Sequence, residues 1–359
     1  MKQSIITVLI VFVVISVMSS ARYFPRMTEI TLAEPVFVLG IDKHEEAGSR
    51  VSILYEKIEG ADEGGDDVNQ KYTDFAEGSS PAAALETLKK RFPREMAVST
   101  AEYFLIGEEA AGENLEKYTD FLARNNTLRL TSSIFIVRGE AAEACRILTE
   151  TRTLDILRNY GEYSGINAIS RSMEFYELLS EMAGGSAFTV PALVFKEHSG
   201  EIIVVPSGYA VICGGALAGF LEPDAARGYN LLTNKSVYST VELADGAAAR
   251  LENARRQIRF EWNEDDKNLL KGIVIDVSFN TRIIDSAGHD SLFKKEQNRV
   301  IYAEIQKVIA ASKKLGCDFL GIGELLRMRH PVRWERLQSC WNEIYAGTPV
   351  KINISSEVR

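Results

Sequence analysis

The sequence predicts an α+β protein of three mixed α/β domains joined by helical connectors and preceded by an apolar N-terminal helix. Three observations carry this. Strand-like and helix-like runs alternate through the first half, glycine-punctuated apolar runs fill the middle, and a long amphipathic stretch precedes a final alternating strand. The chain of 359 residues is 46% hydrophobic and 25% charged, enough apolar material for more than one core. At roughly 100–200 residues per domain, two or three domains fit that length. A net charge of −9 argues against a nucleic-acid partner, because neutralising phosphates needs a basic face.

Residues 5–18 read IITVLIVFVVISVM, an apolar run that marks export or membrane anchoring. Its length falls between a signal-peptide core and a comfortable spanning helix. Ser19, Ser20 and Ala21 offer a cleavage site, so a signal peptide and a retained anchor both stand as readings of residues 1–33. No cysteine occurs before Cys145, so a lipobox cysteine is absent and attachment is expected through the helix or a partner.

Residues 34–183 read as an N-terminal α/β domain ending in a helical connector. Runs at 36–41 and 50–56 flank a charged turn and predict a hairpin. The acidic, glycine-rich stretch 60–67 is a solvated loop that lacks EF-hand ligand spacing. Ser80 and Pro81 supply an N-cap and a first-turn proline for a helix reaching Phe92. Strands are expected at 101–106 and 130–137, helices at 115–122 and 139–148, and a largely helical stretch over 150–182.

Residues 184–236 read as a small β-rich middle domain, with strands at 190–195, 202–205 and 207–220, a hairpin turn at Gly214-Gly215 and a closing helix. Residues 237–359 read as a C-terminal α/β domain. Its strands lie at 240–243, 272–279 and 350–354, and its longest helix spans 296–315 with Gly316 as the stop. Pro331 starts a further helix whose Trp334, Leu337, Trp341 and Ile344 share one face.

Asp42, Asp318 and Glu324 are the carboxylates with catalytic potential, yet each sits near glycine in a turn, where a carboxylate usually caps backbone N–H groups. The four histidines have no serine or cysteine partner in a nucleophile motif. Cys145, Cys213, Cys317 and Cys340 lack metal-ligand spacing, and buried free thiols are the simplest expectation. No catalytic residue, cofactor or metal is assigned. Trp334 and Trp341 form either a core-facing side or an interaction stripe, and core packing is the commoner use.

The stretch 311–354 resembles the C-terminal end of the Ger(x)C proteins, in which a long helix leads to a D-x-[FL]-G-[FI]-G-[ED] turn, a two-tryptophan helix and an alternating strand. Gly316, Asp318, Phe319, Gly321, Gly323, Glu324, His330, Pro331, Trp334 and Trp341 match, followed by 350–354. Residues 37–43, with Gly40 and Asp42, resemble the family's strand and G-I-D-K turn, and 207–221, with Gly208, its glycine-rich strand pair. Where family members carry Gly-Cys-Trp after the signal, this chain has Ser-Ser-Ala-Arg.

The resemblance implies three mixed α/β domains on the outer face of the spore inner membrane. It also implies assembly with a multi-spanning A subunit and a transporter-like B subunit of a nutrient germinant receptor, with no catalytic residues. A non-enzymatic C subunit, helix-anchored, is therefore expected, with no direct small-molecule substrate. The alternative, an exported solute-binding protein or hydrolase, requires a concave pocket with convergent polar groups.

Overall fold

The computed structural model describes residues 33–57, 70–151, 154–163, 170–185, 187–233, 238–243, 247–263, 269–285 and 290–358. The apolar run 5–18 and the acidic stretch 60–67 lie outside them. Among the described residues no helix is long and apolar enough to cross a membrane.

Two sheets organise the described residues. The first runs in the order β3-β2-β1-β5-β6-β7-β8-β9, with β4 paired to the start of β1. Its strands are β1 (Ala33–His44), β2 (Gly48–Glu56), β3 (Lys71–Gly78), β4 (Glu95–Ala97), β5 (Tyr103–Gly107), β6 (Ser133–Val137), β7 (Phe188–His198), β8 (Glu201–Cys213) and β9 (Ala216–Leu221). The centre, β1-β5-β6-β7, is parallel and both flanks are antiparallel.

Parallel strands are buried on both faces, and here the alternation divides cleanly. Phe104, Ile106, Ile134 and Ile136 point to one core, against helices α1 (Pro81–Lys89), α2 (Glu108–Arg124) and, later in the chain, Phe175–Ala183. Tyr103, Leu105, Phe135 and Val137 point to the other, against α3 (Ala141–Glu150) and α4 (Leu154–Tyr163). The helix over Phe175–Ala183, α5, and α4 supply the helical stretch expected between 150 and 182. Helix α1 starts as expected, with the Ser80 hydroxyl accepting from Ala83 N at 3.2 Å and Pro81 in its first turn.

The second sheet, β10-β11-β12-β13, comprises β10 (Tyr238–Glu242), β11 (Ala248–Trp262), β12 (Leu270–Asp285) and β13 (Val350–Val358), the last parallel to β12. Its core is closed by α6 (Pro223–Thr233), α7 (Asp290–Lys314), α8 (Ile322–Arg329), α9 (Pro331–Leu337) and α10 (Trp341–Gly347).

The α+β class holds, with two refinements. Residues 184–236, expected as a β-rich unit of their own, carry no separate sheet: β7–β9 complete the first sheet, while α6 packs into the second core. Hydrogen bonding drives this, because β7 finds a parallel partner in β6 and the Gly214-Gly215 turn reaches α2. There Asn114 leaves helical geometry, and the Leu115 N–H that loses its helical acceptor donates to Gly215 O at 2.8 Å. The second refinement concerns the helix expected from Pro331, which is two helices separated by a 3₁₀ turn over Gln338–Cys340. Leu337 and Trp341 are nevertheless buried, and Trp334 and Ile344 pack against the same core.

Polar contacts stitch the two cores together. The Tyr209 hydroxyl on β8 donates to Asn230 Oδ1 on α6 at 2.5 Å and accepts from Arg171 N at 2.7 Å. Thr189 on β7 donates to the Tyr229 hydroxyl at 2.8 Å. All four side chains are buried, and each pairs as a buried polar group must.

Candidate functional site: two carboxylates at glycine corners

Strand β1 delivers Asp42 to the N-terminus of α3. Its Oδ1 accepts from Ala141 N at 2.7 Å and its Oδ2 from Ala142 N at 2.8 Å, so one carboxylate answers two free N–H groups of a helix about a hundred residues away. Close approach depends on glycine. A methyl on Gly107, at the end of β5, would lie 2.0 Å from Asp42 Oδ1, and one on Gly40 would lie 3.1 Å from Ala141 Cβ. Arg50 faces this corner and bridges Glu77 at 3.0 Å and Glu140 at 3.6 Å.

Burial pushes the Asp42 carboxyl from 3.8 up to about 6; the Ala141 and Ala142 N–H groups pull it down, Glu140 adds to the rise and Arg50 opposes it. Between 3.8 and about 6 the folded chain thus holds a proton that the unfolded chain has released, and stability falls as pH rises through that window. A shift of this size is worth on the order of 3 kcal/mol. Urea unfolding is expected to show greater stability near pH 5 than near pH 7, and Asp42→Asn is expected to remove that slope. Glu113, Glu143, Asp276 and Glu324 are held low by hydrogen bonds to their neighbours, and they act in the opposite sense at lower pH.

The second corner follows α7. After Gly316, at φ +61°, Asp318 turns back on α8: Oδ1 accepts from Ile322 N at 3.1 Å, and Oδ2 from Gly323 N at 2.6 Å. The indole N–H of Trp341 donates to the same Oδ2 at 2.9 Å. Gly323 lies directly under that indole, and a methyl there would sit 2.5 Å from Trp341 Nε1. Trp341 stacks on Tyr345 at 5.8 Å and meets Trp334 edge-on at 5.5 Å. Burial raises the Asp318 carboxyl, and the N–H groups of Gly323, Trp341 and Ile322 counter the rise.

The other expected residues fall into place around these corners or away from them. Gly321 takes φ +69° at the start of α8, which glycine tolerates best. Gly208, at φ +66°, lies beside the register shift between β7 and β8. Pro331 opens α9 on the surface. Glu324 does not cap: it sits in the first turn of α8 and pairs at 2.5 Å with Arg327 at the surface.

The structure does not bring Asp42, Asp318 and Glu324 together. The first lies in the first sheet's core, the second under the C-terminal helices and the third half-buried at the surface of α8. The oxygens of Asp42 and Asp318 are occupied by N–H donors, an arrangement that fixes helix positions. Gly107, Gly139, Ala141 and Ala142 complete the first corner and were not singled out from the sequence. The available signal was a glycine at the end of β5 and another just after β6. Among the described residues no group of three or more His, Cys, Asp or Glu is arranged to hold a metal. The thiols are free: Cys145 and Cys317 are buried, Cys213 half-buried and Cys340 exposed.

Two family descriptions match the chain. "Spore germination protein N-terminal domain" spans residues 26–194, and "Spore germination B3/GerAC like, C-terminal" spans 207–359. Spore germination protein KC of Bacillus subtilis (strain 168) is 22% identical, over 79% of this chain and 77% of that protein. The crystal structure of the GerBC protein superposes with a TM-score of 0.56 at 15% identity, over 89% of this chain and 96% of that one, so the fold is shared. With both halves matched in order, the chain belongs to the Ger(x)C family of spore germination proteins.

Proposed function

We propose that this chain is the non-enzymatic C subunit of a nutrient germinant receptor. In this reading its apolar N-terminal segment holds it at the outer face of the spore inner membrane, where it scaffolds or signals with a multi-spanning A subunit and a transporter-like B subunit. The match of family descriptions through both halves of the chain carries the reading. The two glycine corners support it, because the family-motif carboxylates Asp42 and Asp318 are engaged as helix caps.

The test is the mass of the mature chain from spore inner membranes, with an antibody pull-down from the same preparation. An intact N-terminus, a co-purifying multi-spanning protein and loss of nutrient-triggered germination on deletion are expected. A chain trimmed near Ala21 and recovered free would overturn the reading in favour of an exported binding protein.

A further inference from the structure

We propose that the corner where α8 meets α9 is a membrane-contact surface of its own, seating apolar side chains on an anionic bilayer beside neighbouring arginines. Met328 and Val332, four residues apart across the turn, are 63% and 69% exposed, and Pro331 between them is exposed as well. A single exposed apolar residue is ordinary, but these have company. The His330 ring lies 5.6 Å from Trp262, the Arg333 guanidinium stacks 4.0 Å over the same indole, and Arg329 donates to Ile258 O on that strand at 2.6 Å. The corner therefore rests on the end of the β11–β12 hairpin, where Leu269 is 54% exposed and Trp262 half-buried.

Charge selects the partner. Residues 324–336 carry four arginines, Arg327, Arg329, Arg333 and Arg336, against two carboxylates, Glu324 and Glu335, in a chain whose net charge is −9; Arg327 pairs with Glu324, and the others have no carboxylate partner along this stretch. Arginine near exposed aliphatic side chains, with a tryptophan close by, is the composition that settles at the headgroup boundary. Side chains this exposed present tips rather than a cleft, and a fluid lipid surface needs no matching shape. Between β11 and β12 the sequence also carries Glu264, Asp265, Asp266 and Lys267, outside the described residues, so charge is not the whole of the attraction. Apolar contact must then share the work, and salt is expected to weaken binding without abolishing it.

The inference rests on the receptor-subunit reading only in needing a bilayer within reach. The full chain, held in nanodiscs by its own apolar segment, is compared in phosphatidylglycerol-containing and pure phosphatidylcholine discs by hydrogen–deuterium exchange. Peptides covering 326–337 are expected to exchange about tenfold more slowly in the anionic discs. The double variant Met328→Glu/Val332→Glu is expected to lose that protection with its circular dichroism unchanged. Equal exchange in both discs, or protection that the double variant retains, overturns the proposal. Protection that appears only when a membrane-protein partner is added overturns it too, and assigns the corner to a protein interface. Failure of the receptor reading shows elsewhere, as a free chain in spore fractions.

Discussion

Trp341→Ala is expected to destabilise the chain by about 3–5 kcal/mol, the range for truncating a buried tryptophan. The indole supplies packing against Trp334 and Tyr345 and the N–H held by Asp318, and its loss leaves a buried carboxylate short of a donor. Trp341→Phe separates the two contributions. It keeps most of the ring volume and is expected to lose about 1.5–3 kcal/mol, the usual range for a hydrogen bond to a charged group. Chemical denaturation of the three proteins checks both values. An alanine variant within about 1 kcal/mol of the parent would mean that the corner is not the anchor of the C-terminal helices.

Gly107→Ala is expected to act through Asp42. The added methyl would lie 2.0 Å from Asp42 Oδ1, so the carboxylate must leave and the N–H groups of Ala141 and Ala142 lose their acceptors. A buried unsatisfied donor costs about 1–3 kcal/mol, so a loss of roughly 2–5 kcal/mol is expected, close to that of Asp42→Ala. In the Asp42→Ala background the methyl finds space, and the double variant is expected to be no less stable than Asp42→Ala alone. Additive losses in the double-mutant cycle would refute the mechanism.

What the sequence made legible was mostly local. The first hairpin, the Ser80-Pro81 start, the Gly214-Gly215 turn and the long helix α7 each follow from neighbours a few residues apart. Strand β11 escaped because its alternation is broken: Asn253, at φ +53°, sits in a register shift between Glu252 and Arg255. Ala249 and Leu251 precede the shift, and Ala254 and Ile258 resume on the buried side with the frame moved by one. Strand β3 escaped because it is a polar edge whose Phe75 is exposed.

The two corners divide the same way. Asp318 caps residues four and five positions on, as a turn carboxylate should. The partners of Asp42 belong to a different helix, and no short window of sequence contains both. The membership of β7–β9 in the first sheet is likewise a matter of long-range pairing, which glycine punctuation could not reveal.

Strand β8 turns Ala210 and Ile212 into the core of the first sheet and Tyr209 and Val211 into that of the second. A slip of one residue would trade the contents of two interiors at once. The two interiors thus share one strand as a common wall, and a substitution on either face of β8 is felt first by one core and, through the strand's fixed register, next by the other.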